Sequence, residues 1–77
     1  MKDMMNSILS AQVLQADAMI QKHKVNIEVL TKNAAGVAEH PDIMSTVTTE
    51  LAQIAHWQDI KDAIVIFDFQ QQKTLVE

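Results

Sequence analysis

Cysteine, arginine and tyrosine are absent from this sequence of 77 residues, and glycine, proline and tryptophan occur once each. Without cysteine there is no disulfide and no thiolate metal site. A chain this short buries only about 60% of the surface that its unfolded form exposes. Small domains are commonly held by disulfides, a structural metal or association with other chains. With disulfides excluded, the remaining supports are association, close helix packing, or a metal site of histidine and carboxylate. Without arginine there is no rigid two-pronged donor for phosphate or guanine. Six lysines face ten carboxylates, for a net charge of -4, so no basic patch draws the chain to nucleic acid. One Trp and two Phe do not make a row of stacking platforms. Long apolar runs are also missing. The longest, Ala63 to Phe67, falls far short of the roughly 18 residues that a membrane span needs. Ser10, Gln12, Gln15 and Asp17 make the N-terminal region too polar for the core of a signal peptide. The expectation is an intracellular protein that binds neither nucleic acid nor membrane.

The two helix breakers stand together. Gly36 and Pro41 lie near the middle of the chain, and the segments on either side hold neither residue. Glycine favours the position just past a helix end, and proline the first position of a helix. Lys32 before the gap and Asp42 after it complement the helix dipoles. The reading is one domain over residues 1–77, with a helix at about 3–34 and a connection at about 35–41. A second helix at about 42–69 and a frayed tail at 70–77 complete it.

Periodicity supports two helices. Leu9, Val13, Ala16, Ile20, His23, Ile27 and Leu30 step by four and three alternately, a coiled-coil stripe with one polar member. In the second half Ile43, Val47, Leu51, Ile54, Trp57, Ile60, Ile64 and Phe67 step by three or four. Ile64 to Phe69 is rich in β-branched and aromatic residues, which favour strands. Helix is the stronger reading because strict alternation is confined to short stretches. The expected fold class is all-α, an antiparallel helical hairpin that assembles into a helical bundle.

The reason to expect assembly is surplus apolar surface. Hydrophobic residues make up 48% of the chain, and Met4, Met5, Ile8, Leu14, Met19, Val25, Val29 and Met44 lie outside the stripes, as do Val65, Ile66 and Phe69. Large apolar patches mark interaction sites, and pairing hairpins into a four-helix bundle covers them. A kinked monomer with three helices is the alternative. The methionines suit core filling, or a pliable binding surface. Trp57, Ile60, Ile64, Val65, Phe67, Met19 and His23 are the candidate interface residues, with Trp57 the strongest because Trp is enriched among anchors; an ordinary core Trp between Ile54 and Ile60 is the equal alternative.

Candidate chemistry is sparse. A turn near residue 38 sets His23 within reach of His56, and Asp17 and Asp59 are conceivable further donors. No HExxH pattern or paired Glu-x-x-His motif accompanies them. The plainer alternative has His23 in the helix seam and His56 beside Trp57. Glu39-His40-Pro41-Asp42 reads as helix-start punctuation. Asp59, Lys61 and Asp62 read as a solvated face. Ser7, Ser10 and Ser45 lack the turn that exposes a nucleophile, and one glycine does not make a phosphate loop. No catalytic, cofactor-binding or metal-ligating residue is expected, and the chain is read as no enzyme.

Asn33-Ala34-Ala35-Gly36-Val37-Ala38-Glu39-His40-Pro41-Asp42-Ile43, followed by Glu50-Leu51-Ala52-Gln53-Ile54-Ala55 and Asp59, resembles small helical-hairpin proteins of tailed bacteriophages, marine ones among them. These carry a Gly-Val/Ile-x-Glu-His-x-Asp-like turn, from which Ala35 and Ala38 depart. The resemblance implies an accessory or host-interaction protein in the host cytoplasm, or a virion-associated one. It implies no activity and no catalytic residue. The chain also resembles the needle subunit of bacterial type III secretion, a hairpin of similar length with a proline-bearing connection. That likeness implies a filament or virion subunit as the alternative role.

Overall fold

The computed structural model describes the backbone of residues 2–33 and 40–76 and the side chains of 6–33 and 42–70. Two helices make up the described chain: α1 at Lys2–Asn33 and α2 at His40–Val76. They pack against each other as an antiparallel hairpin of 61 × 18 × 11 Å. The all-α hairpin expected from the breakers and the periodicity is therefore the fold. Lys32 occupies the last turn of α1 and Asp42 the first turn of α2, where each charge opposes the helix dipole. Pro41 falls in the first turn of α2, where its missing N–H would have had no partner. The connection expected at about 35–41, with Gly36, lies mostly outside the described residues.

Residues 63–69 are helical. Their β-branched side chains carry only a small helix penalty, and a face packed on α1 outweighs it. The second helix also continues through the stretch assigned to a frayed tail, as far as Val76. Gln70, Gln71, Gln72, Lys73 and Leu75 are good helix formers with no breaker among them.

The α1 stripe is the seam, as its spacing implies. Leu9, Val13, Ile20, Ile27 and Leu30 are partly covered, Ala16 is fully enclosed and His23 is 8% exposed. On α2 the seam departs from the apolar stripe. Leu51 and Phe67 face outward, while Glu50, Lys61 and Asp68 are partly covered. The α1 stripe keeps a strict period of 3.5, which a packed partner has to match along its length. Ile43, Val47, Glu50, Ile54, Trp57, Lys61, Ile64 and Asp68 do match it, stepping by four and three throughout. The purely apolar choice takes three successive steps of three from Leu51 to Ile60 and drifts off the seam. Geometry thus places three charged residues where a hydrophobic pattern would not.

Candidate functional site

Two of the charged seam positions of α2, Glu50 and Lys61, meet partners across the hairpin. Nδ1 of His23 donates to Oε2 of Glu50, and Asn26 donates its amide to Oε1 at 3.2 Å. Both carboxylate oxygens are therefore occupied. The hydrogen bond from His23 is the largest influence on Glu50 and lowers its carboxyl below the ordinary 4.5. Partial burial works against that, and the Asn26 bond and the charges of His23 and Lys22 reinforce it. Further along α2, Lys61 meets Asp17 at 2.6 Å. Lys61 was expected on a solvated face with Asp59 and Asp62. Its long stem instead lies along the seam edge with the ammonium at Asp17, the usual posture for lysine over apolar surface. Asp62 does stay outside, accepting a hydrogen bond from Gln58 at 3.2 Å.

These pairings fix the register. Carried along the hairpin, they set Trp57 across from the stretch that holds Ala16 and Ile20. Nε1 of Trp57 is enclosed without a hydrogen-bond partner, as is Nε2 of His23. The edge of the Trp57 ring packs on exposed His56, with ring centroids 5.2 Å apart and planes at 77°.

The chemistry open to this arrangement is limited. A histidine oriented by a carboxylate can serve as a general base when its other nitrogen reaches a substrate proton. Here that nitrogen is sealed inside the hairpin. The His23–Glu50–Asn26 layer ties the two helices together through the bonds from His23 and Asn26 to one carboxylate. The approach of His23 to His56 considered from the sequence is not what forms: His23 turns to Glu50 and His56 to Trp57. Among the described residues no group of three or more His, Asp or Glu is placed to hold a metal ion. No helix of the described residues is long and apolar enough to cross a membrane.

Of the candidate interface residues, His23, Trp57 and Ile64 lie in the seam between α1 and α2, with Met19 and Ile60 partly covered beside it. Val65 and Phe67 stand in the open. Comparison with known protein families, with curated proteins and with solved structures finds no match. The fold and its surfaces therefore carry the functional reading.

The apolar surface is extensive. Among the described residues, ten large hydrophobics are more than 40% exposed, from Phe67 at 41% to Met44 at 71%. Four of them, Val65, Ile66, Phe67 and Phe69, crowd one stretch of α2. A shallow groove of about 250 Å³ beside them is lined by Leu9, Val13 and Ile64 with Asn6, Ser10 and Asp68 at its rim. Sequence reasoning missed Glu50, Asn26 and the Asp17–Lys61 pair. The signal for Glu50 and Lys61 was present: each completes the four-and-three spacing that starts at Ile43.

Proposed function

We propose that this chain is a non-enzymatic protein-interaction module, a helical hairpin that associates with copies of itself. One observation carries the reading. The folded chain exposes 6030 Å², whereas a compact monomer of this mass exposes about 4,700 Å². The excess is about 1,300 Å², and a stable interface takes about 800 Å² from each partner. The radius of gyration agrees, at 17.8 Å against about 11 to 12 Å for a compact chain of this length. A hairpin with Ala16 as its only fully covered hydrophobic residue among those described gains its missing core from neighbours. The phage-like turn at residues 33–43 supports a more specific role, an accessory or host-interaction protein acting in the host cytoplasm.

Light scattering on a size-exclusion column, repeated over about a hundredfold dilution, tests the reading. A closed small oligomer whose thermal midpoint rises with concentration is the expected result. A strictly monomeric, cooperatively melting chain at every concentration overturns it. One feature favours a second reading, a filament or virion subunit. Val65, Ile66, Phe67 and Phe69 point to several sides of α2, so one neighbour covers only part of them. Contacts that do not close on themselves generate open polymers. Species that grow without limit as concentration rises are the mark of that alternative.

A further inference from the structure

Eight of the ten exposed hydrophobics among the described residues sort onto the two broad sides of the hairpin by a simple rule, while Val25 and Ile66 adjoin no seam position and lie on the outer edges. Each seam residue of a right-handed helix is followed by one that emerges about 100° further round. In an antiparallel pair, the residues that follow seam positions emerge on the same side of the slab. Those that precede seam positions emerge on the opposite side. Leu14, Met44, Leu51, Val65 and Phe69 directly follow Val13, Ile43, Glu50, Ile64 and Asp68. Their exposures run from 53% to 71%, and they include the four most exposed large hydrophobics among the described residues. Ile8, Val29 and Phe67 precede seam positions and run from 41% to 55%, overlapping the first set only at Ile8 and Leu51. The first set is the front face and the second the rear.

We propose that the front face is a two-fold interface with a second copy of this chain, formed by α2 of each copy packing antiparallel. This rests on the self-association proposed above and names the surface that performs it. The middle of the front row of α2, Leu51 and Val65, is symmetric about Gln58. Leu51 lies two turns before it and Val65 two turns after. An antiparallel copy therefore sets Leu51 against Val65 of the second copy, with Gln58 meeting its own counterpart on the axis. A two-fold interface demands such self-complementarity. Most front positions of α1 are polar, with Ser10, Asp17, Lys24 and Thr31 following Leu9, Ala16, His23 and Leu30. The face thus carries most of its apolar residues on α2, interrupted by Thr48, Gln58 and Asp62, and a mainly polar rim on α1, close to the usual anatomy of a protein interface. Pairing α1 with α2 of the other copy would instead set those apolar residues against polar side chains. The surplus surface of about 1,300 Å² per chain exceeds the share a two-fold dimer of ordinary size requires.

The test uses the full chain and three variants, with a fourth as the cross-linking control. Leu51→Lys with Val65→Lys leaves the seam untouched and places two charges in the interface. A variant that stays helical by circular dichroism but elutes as a monomer, with association weakened at least about thirtyfold, is the expected result. Val29→Lys on the rear face is expected to associate like the parent. Gln58→Cys is a clean probe because the chain has no cysteine of its own. It is expected to form an interchain disulfide on oxidation, since residues on the axis meet their counterparts at bonding distance. Gln53→Cys, which precedes seam residue Ile54, is expected not to. Dissociation by the rear variant alone, or cross-linking at Gln53 in preference to Gln58, overturns the front-face assignment while self-association stands. A parent chain that is monomeric throughout overturns both.

Discussion

Ala16 is the sharpest probe of the hairpin, because it is wholly enclosed while Ala18, half a turn away, is exposed. Glycine at either site costs about 1 kcal/mol in helix propensity. At position 16 the lost methyl adds about 0.8 kcal/mol of apolar burial, for about 2 kcal/mol in all. In a domain of this size that lowers the thermal midpoint by roughly 8 to 16 °C, against about 4 to 8 °C for Ala18→Gly. Leucine separates the sites further. Ala16→Leu forces three extra carbons into the fully enclosed part of the seam and costs about 1 to 3 kcal/mol. Ala18→Leu sits in solvent and stays within about 0.5 kcal/mol of the parent. Thermal melts by circular dichroism at one fixed chain concentration, with urea titrations alongside, measure all four. Equal losses for the two glycine variants, or an Ala16→Leu protein as stable as the parent, would refute the tight seam at position 16.

Three further predictions follow from the polar layers and the tryptophan. The Glu50 carboxyl is lowered in the folded state, so its contribution is complete above the unfolded carboxyl value and is lost as pH falls through the lowered folded value. The thermal midpoint should drop on acidification below about pH 4.5, and Glu50→Gln should flatten that part of the profile; an unchanged slope in the variant would assign the acid sensitivity to other carboxylates. The Asp17–Lys61 pair keeps half and about a third of its side-chain surface in water, so a double-mutant cycle with alanine should yield under about 1 kcal/mol of coupling, shrinking with added salt; a larger coupling would mean that the pair is enclosed by a neighbouring chain. Trp57 has an enclosed indole nitrogen without a partner, so Trp57→Phe loses no hydrogen bond and should cost less than about 1.5 kcal/mol in urea denaturation, whereas a loss above about 3 kcal/mol would show that a bonded N–H had been removed.

The fold was more legible than the seam chemistry. Gly36 and Pro41, five positions apart in an otherwise breaker-free chain, mark one reversal, and a single reversal between two helices allows one topology. The α1 stripe was readable because every member but His23 is apolar, so hydropathy and geometry pointed to the same face. On α2 they diverged. Hydropathy selected Leu51, Ile60 and Phe67, while the period of the partner selected Glu50, Lys61 and Asp68. A polar residue in a seam leaves no hydropathy signal, and its acceptability depends on a partner in the other helix. The pairing of His23 with Glu50 rather than with the neighbourhood of His56 is the same case. Glu50 and His56 lie about a turn to either side of the α2 position opposite His23, so the side-chain geometry decides between a carboxylate and a second imidazole.

The sequence by itself determined the helical class, the place of the reversal, the exclusion of disulfides and thiolate metal sites, and a surplus of apolar side chains. These follow from local backbone preferences and from composition, which need no knowledge of what touches what. Only the tertiary structure decided which charged groups share the seam, where the buried nitrogens of His23 and Trp57 end, and which exposed hydrophobics lie on one side of the slab. Those are properties of two helices held in a particular alignment, and the alignment is set by packing across the hairpin.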